Sequence, residues 1–255
     1  MYRDNKSFVK QKPFLRTVSV DEAKRIILSK IRIIRYSVEI EIQKALGRIL
    51  SENVISKMDV PPFDRASMDG YAVVAADTFG ADEENPKLLE KIGSIRAGED
   101  LDVVVESGRC VEISTGAPMP AGADSVVIVE DTEEEGNFVR TYRSITPGEN
   151  VMPAGSDIMR GETILRKGTS LGPRETGVLA ASGFSRINVY KKPKVAIIST
   201  GDEIIPPGEE LTSGKIYDVN SRTISDAVRE NGGEPVYLGI APDDKKRLLE
   251  RIKEA

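Results

Sequence analysis

The sequence predicts a mixed fold, β-rich through its middle and parallel α/β toward its C-terminal part. Three observations predict it. Between about 56 and 143, short alternating apolar runs ("GYAVVA", "RCVEIS", "DSVVIVED", "FVRTYR") are separated by Gly, Pro and acidic turns, the pattern of an all-β segment. From about 144 to 190 the chain is rich in Gly and turn residues. After "KKP" it reads strand, helix, strand, helix, which implies a parallel layer.

Each element has a local reason. "SVDEAKRIILSKI" opens with a capping-box pattern, Ser19 with Glu22 three residues on, and continues with Ala23, Ile26, Ile27 and Ile31 at helical spacing. "YSVEIEIQKALGRILSENV" alternates at Val38, Ile40 and Ile42, then changes to helical spacing at Ala45, Leu46, Ile49 and Leu50, predicting a strand and a short helix. "DTEEEG", 131–136, reads as a solvated hairpin tip. In the Gly-rich segment, short β-arches precede a helix, "PRETGVLAASG", with Pro173 at its start and Gly183 past its end.

The last segment holds two strands, "KVAIIST" and "PVYLGIA", whose continuous apolar runs predict burial on both faces. The helices "SRTISDAVRENGG" and "DDKKRLLERIKEA" follow them. Two parallel strands leave an exposed edge, so the layer is expected to be completed by the N-terminal helix, a partner or further sequence.

Composition narrows the chemistry. A length of 255 residues suggests one or two domains. Lys plus Arg number 36 against 41 Asp plus Glu, a net charge of -5, which gives no footprint for nucleic acid or an anionic membrane. No apolar run reaches the roughly 18 to 20 residues of a membrane span. The start, "MYRDNKSFVKQKPFLRTVS", lacks a signal peptide's apolar stretch, so a cytoplasmic location is expected. Cys110 is the single cysteine, which excludes an intrachain disulfide and a thiolate metal cage. Histidine is absent, removing the usual near-neutral acid–base group and with it Ser-His and Cys-His nucleophiles. Any reaction must run on carboxylates, Lys, Arg, Tyr, hydroxyls and backbone, and any metal would be a hard ion such as magnesium.

Carboxylates in turns therefore become the candidates. In "STGDEIIPPGE", Asp202 and Glu203 follow a strand, in the crevice where parallel sheets hold ligands; they either hold magnesium against a phosphate or cap a turn. In "YDVNSRTI", Asp218 and Asn220 stand at a helix start as caps or ligands. Asp243 and Asp244 in "APDD" repeat the arrangement after the second strand. "STGAPMPAGAD" places Ser114, Thr115 and Gly116 where amides and hydroxyls either hold an oxyanion or close a tight turn. Asp157 in "AGSDI" reads as a turn aspartate. "PPFDRASMDGYAV" carries Asp69 in an Asp-Gly step, a hairpin signal. The diproline before it stiffens the approach, and Asp64 and Arg65 can pair or hydrogen-bond across the loop, which suggests that Asp69 is being positioned.

Taken in order, "PPFDRASMDGYAV", "ISTGAPMPAGADSVVIVED", "GENVMPAGSDI", "VAIISTGDEIIPPGE" and "GKIYDVNS" resemble the molybdopterin molybdenumtransferases. This is the MoeA family of molybdenum-cofactor biosynthesis, which includes the E domain of gephyrin. The resemblance runs from about Ser19 to the last residue. It implies an elongated multidomain chain of α/β plus β class. Residues 1–35 would form an N-terminal helix packing with the α/β domain, and 36–55 with 144–190 a linker domain. Residues 56–143 would be a β-rich inserted domain, and 191–255 a partial parallel α/β domain like that of the molybdopterin adenylyltransferases.

The resemblance also implies a homodimer whose active site lies between the α/β domain of one subunit and the β-rich domain of the other. The substrates would be adenylylated molybdopterin and molybdate, with AMP released and Mg2+ assisting; the molybdopterin adenylyltransferase would be a candidate partner. The family's functional positions map onto Asp69, Thr115, Asp157, Glu203 and Asp243, with Glu203 and Asp243 as metal ligands. Ser114, Gly116, Asp202, Asp218 and Asn220 would line the substrate. The family continues with further acidic and Pro/Gly-rich loops and a small β domain, none of which follows Ala255, so a fragment or the product of a truncated reading frame is expected. Two other readings are a non-catalytic scaffold of the same family and a nucleotide pyrophosphatase built on a related α/β module.

Overall fold

The computed structural model describes residues 17–99 and 102–255, which divide into two compact units between Tyr36 and Ser37. The first contains α1 (Val20–Lys30), capped by Ser19, whose hydroxyl accepts the Glu22 N–H at 3.2 Å. Asp21 and Glu22 in its first turn and Lys30 in its last complement the helix dipole.

The second unit runs, in order, through β1 (Ser37–Glu41), β2 (Val54–Ile55), β3 (Arg65–Ala66), β4 (Gly70–Val73), β5 (Lys87–Ile95), β6 (Arg109–Ile113), β7 (Ser125–Ile128), β8 (Thr132–Glu135) and β9 (Phe138–Thr141). It continues with β10 (Val151–Met152), β11 (Thr163–Leu165), α2 (Pro173–Ala181), β12 (Arg186–Tyr190), β13 (Lys194–Thr200), β14 (Ile204–Ile205), β15 (Ile216–Tyr217), α3 (Val219–Glu230), β16 (Glu234–Ala241) and α4 (Lys245–Glu254).

β1 pairs antiparallel with β12, Val38 opposite Val189 and Ile40 opposite Ile187. These side chains join Ala45, Leu50, Val54, Leu171 and Leu179 in one core. The short helix expected over 45–50 does not form; a single 3-10 turn, Ile42–Lys44, stands in its place. Long-range bonds claim that backbone instead: Gly47 N–H and Leu50 N–H donate to the carbonyls of Leu171 and Thr169, and Leu171 N–H donates to Arg48. Apolar spacing suited both outcomes, and tertiary pairing decided between them.

The middle of the chain is a six-stranded sheet in the order β7-β4-β6-β5-β9-β8, antiparallel except for the parallel β5–β6 pair. Alternate residues of its central strands feed two cores. Ala72, Val111, Ile113 and Val126 pack with Ala66, Ile95, Val105 and Ala117. Tyr71, Val73, Cys110 and Val127 pack with Ala75, Leu89, Val139 and Ile145. β4 is therefore buried along its whole length, and each buried Val contributes about 1.5 to 3 kcal/mol. Burial of the Cys110 thiol pushes its pKa up to about 12, so it stays protonated.

Two sequence expectations change here. "DTEEEG" is not merely a tip: Thr132–Glu135 is the edge strand β8, and the turn falls at Gly136 and Asn137. Its acids find cross-strand partners: Glu133 accepts from the Tyr142 hydroxyl at 2.7 Å, and Glu135 accepts from Arg140 at 2.5 Å. Glu134 accepts from Tyr71 and from Lys91, both at 2.6 Å. β5, whose charged residues hide its alternation, is a strand that periodicity missed, as is β12.

β13 and β16 form a two-stranded parallel sheet, with α3 and α4 packed against it. Burial is partial rather than complete on both faces: Ile197 and Ser199 are buried and Ala196 and Ile198 half-buried, whereas Val195 and Tyr237 are exposed. Two strands with their helices cover only part of the apolar surface.

Candidate functional site

Asp69 sits between β3 and β4, but not in a hairpin. β3 pairs with β10, and β4 pairs with β6 and β7, so the strands on either side of Asp69 do not pair with each other. Gly70 is needed for a different reason than a turn: a Cβ there would stand 1.9 Å from the Val127 carbonyl oxygen. This close approach clamps the backbone beside Asp69, and the Asp69 carbonyl accepts the Val129 N–H at 3.1 Å.

The preceding loop is braced from both sides. Asp64 and Arg65 do not pair; Asp64 Oδ1 accepts the Ala154 N–H at 2.7 Å, and the Arg65 guanidinium rests on Met152 Sδ at 3.1 and 3.3 Å. Ala66 N–H donates to Ala117 and Gly116 N–H donates back to Ala66.

That exchange brings the Ser114–Ala117 turn to Asp69. Ala117 N–H donates to the Ser114 carbonyl at 3.0 Å, and Gly116 takes φ +84°, the third position of a type II turn. Thr115, the second position, gives its N–H (2.6 Å) and its hydroxyl (2.9 Å) to Asp69 Oδ1. The anion held by this turn is the protein's own carboxylate. Those two bonds, the backbone one first, hold the Asp69 carboxyl below its ordinary value. Oδ2 accepts no bond from any described residue and faces outward on an exposed side chain. Asp157 lies in the opposing arch, its N–H donating to Val60 at 3.0 Å; its exposed carboxylate likewise has no partner among the described residues.

The second cluster lies past the C-terminal ends of β13 and β16. Gly201 N–H donates to Ala241, and Asp243 N–H donates to Asp202 Oδ1 at 3.2 Å, tying the two turns together. The Glu203 carboxylate folds back over Gly201, where a Cβ would be 2.7 Å from Oε2. Glu203 and Asp243 carry exposed carboxylates with no partner among the described residues.

The capping reading applies to their neighbours instead. Asp244 caps α4 by accepting the Arg247 N–H at 2.8 Å. Asp218 caps α3 through Ser221 N–H at 3.0 Å and accepts the Tyr237 hydroxyl at 2.8 Å. Burial pushes Asp218 up, but the hydrogen bonds from Ser199, Ser221 and Tyr237 outweigh it and hold its pKa at about 2. Asn220, in the first turn of α3, lines a cavity of about 190 Å³ with Ser199, Thr200 and Ile224.

Ten candidate positions thus fall into two groups. Asp69, Ser114, Thr115 and Gly116 meet in one, with Asp157 across the braced loop; Asp202, Glu203 and Asp243 meet in the other, with Asp218 and Asn220 at the neighbouring helix start. No hydrogen bond among the described residues joins the groups. Lys215 was not singled out from the sequence, although it stands inside "GKIYDVNS"; its Nζ donates to the Asp202 carbonyl at 2.5 Å and brings one cation to the acidic turns. No three acidic side chains converge as a ready metal cage among the described residues. The donor set still suits Mg2+, which is commonly held by one or two carboxylates with substrate phosphates completing its shell.

The fold and the acidic turns define an α/β protein with a β-rich part and a histidine-free site of hydroxyls and carboxylates. Residues 18–183 match the MoeA N-terminal region (domain I and II), and residues 196–255 match a probable molybdopterin binding domain; the chain belongs to the MoeA family. A molybdopterin molybdenumtransferase of Nostoc sp. is 38% identical over 216 residues, covering 85% of this chain and 50% of the relative. One of Bacillus subtilis is 37% identical over 220 residues, covering 85% and 51%. The crystal structure of a molybdopterin biosynthesis MoeA protein from Pyrococcus horikoshii superposes with a TM-score of 0.85 at 38% identity, covering 94% of this chain and 64% of that one. The chain spans about half the length of the curated relatives it matches. Among the described residues no helix is long and apolar enough to cross a membrane.

Proposed function

We propose that this chain acts in molybdenum-cofactor biosynthesis as a molybdopterin molybdenumtransferase, placing molybdenum on adenylylated molybdopterin and releasing AMP. The observation that carries the reading is the split among the acids. Asp218 and Asp244 are spent on helix caps, whereas Asp157, Glu203, Asp243 and one oxygen of Asp69 remain exposed and without a partner among the described residues. These are the positions onto which the family's functional residues fall.

The chain's own groups suit the task. Asp69, held anionic by Thr115, is a poor base at neutral pH and a good fixed negative charge, so its role is to orient a cationic or hydrogen-bond-donating group. Ser114 and the Gly116 turn set that charge in place. Glu203 and Asp243 would hold Mg2+, which would supply positive charge against a substrate phosphate. Lys215 adds a second cation beside Asp202.

In this reading 36–55 with 144–190 form a linker domain, 56–143 an inserted β-rich domain and 191–255 part of a molybdopterin-binding α/β domain. The protein works in the cytoplasm as a homodimer with the site between subunits, and receives its substrate from the molybdopterin adenylyltransferase.

AMP release from adenylylated molybdopterin, with and without molybdate and Mg2+, tests the proposal. Release that requires both and disappears in Asp69→Asn and Glu203→Gln is expected. Release that survives both substitutions, or activity on dinucleotides lacking the pterin, would favour the pyrophosphatase reading.

A further inference from the structure

The molecule carries a cationic cleft away from the acidic turns. A cavity of about 420 Å³ opens where the chain leaves β12 and passes the end of α3; its walls include Arg48, Ile49, Tyr190, Lys191, Lys192 and Pro193. Arg48, Lys191 and Lys192 form no ion pair among the described residues, whereas Arg109, Arg140, Arg143 and Arg186 all do. Glu230 is the one acid in the lining. In a chain of net charge -5, three unpaired cations around one concavity repel each other and focus a positive potential into it.

Two ordinary explanations fail. The lysines are not required to cap α3, because its last carbonyls are already served from within: Ala227 by Asn231, Val228 by Gly233 and Arg229 by Gly232. Arg48 is not a loose surface side chain. It is half-buried, and its Nη2 donates to the Tyr190 carbonyl at 2.9 Å, which aims the guanidinium while leaving its other donors unspent.

The lining also carries apolar surface. Ile49 is 38% exposed at the cleft, with Tyr190 and Pro193 beside it. Lys167 Nζ stands 6.0 Å from the centroid of the Tyr190 ring and adds a fourth cation nearby. The volume falls within the usual range for small-molecule sites, roughly 300 to 1,000 Å³.

We propose that this cleft binds a nucleoside phosphate, its phosphates on Arg48, Lys191 and Lys192 and its base against Ile49, Tyr190 and Pro193. The site is separate from the acidic turns and stands whether or not the transferase reading does.

Calorimetric titration of the 255-residue chain with ADP, adenosine and pyrophosphate tests it. ADP binds, adenosine and pyrophosphate each bind at least tenfold more weakly, and Lys191→Glu with Lys192→Glu weakens ADP at least tenfold without changing Tm. Arg48→Lys weakens it severalfold, because a point charge replaces a planar fork. Because the transferase site would itself take an adenine nucleotide, the lysine pair is also changed in the background of Asp69→Asn with Glu203→Gln, where it still weakens ADP at least tenfold. Three results overturn the proposal: no ADP binding at millimolar concentration, equal affinity in the lysine variant, or loss only in the acidic-turn variant. Pyrophosphate binding as tightly as ADP refutes the nucleoside assignment.

Discussion

Thr115 commits both its backbone N–H and its hydroxyl to a single oxygen, Oδ1 of Asp69. A residue pair 46 positions apart is thereby joined across β3 and the Ser114–Ala117 turn, and the second oxygen of Asp69 is left to face outward.

Replacing Thr115 with Val removes the hydroxyl donor and keeps the amide. The Asp69 pKa then rises part of the way back toward 3.8. The sign follows from the depressed folded value: the bonds stabilise the fold above the unfolded pKa, and that contribution is lost as pH falls through the folded one. Carboxyl-carbon NMR titration of wild type and Thr115→Val reads the shift directly; an unchanged Asp69 titration would show that the hydroxyl bond does not form in solution.

Gly70→Ala is expected to be among the most damaging single-methyl additions. A new Cβ 1.9 Å from the Val127 oxygen forces β4 and β7 apart, at a cost of about 3 kcal/mol. Urea denaturation measures it, and a loss under 1 kcal/mol would mean that the clamp is loose.

Asp218 makes an acid-sensitive latch at the start of α3. With a folded pKa of about 2 against an ordinary 3.8, its stabilisation is complete above 3.8 and disappears as pH falls through about 2. The difference corresponds to about 2 kcal/mol. Tyr237→Phe removes one of its donors and should cost about 1.5 kcal/mol at neutral pH, with a smaller cost at pH 2. Equal destabilisation at both pH values would locate the effect in packing rather than in the charge.

If the site forms between subunits, Asp69→Asn and Glu203→Gln chains lie in different halves of it. Each variant alone is inactive in AMP release, but an equimolar mixture that exchanges subunits recovers about a quarter of wild-type activity, since half the dimers are hybrids with one intact site of two. A mixture as inactive as its components would place both residues in the same subunit's site.

Leu50 and Leu179 are fully buried in the core beneath β1 and β12. Changing either to Ala should cost about 2 to 5 kcal/mol by calorimetric unfolding, with the acidic turns unaffected.

Much of this was legible from residue patterns, for identifiable reasons. β4, β6, β7 and β9 announced themselves because apolar alternation, β-branched residues and Gly or Pro boundaries agreed. The Ser19 cap and Pro173 start followed local chemistry that tertiary contacts left alone. Positions 45–50 misled because an apolar spacing does not say whether the backbone will bond to itself or to Thr169 and Leu171. Asp69-Gly70 misled because the glycine answers to a carbonyl from β7, 57 residues later in sequence, and not to a turn. Which acids cap and which stay free was equally hidden: Asp243 and Asp244 are adjacent, yet only the second meets a helix N-terminus.

The two groups of candidate residues are each held rigidly from within, and no described hydrogen bond runs between them. A molecule that touches both groups would therefore add a link between them that the described hydrogen bonds do not make. A ligand spanning Asp69 on one side and Glu203 on the other is a staple, and its binding energy becomes assembly energy. Substitutions in the two halves should then add independently in the empty protein and become coupled only when that ligand is present.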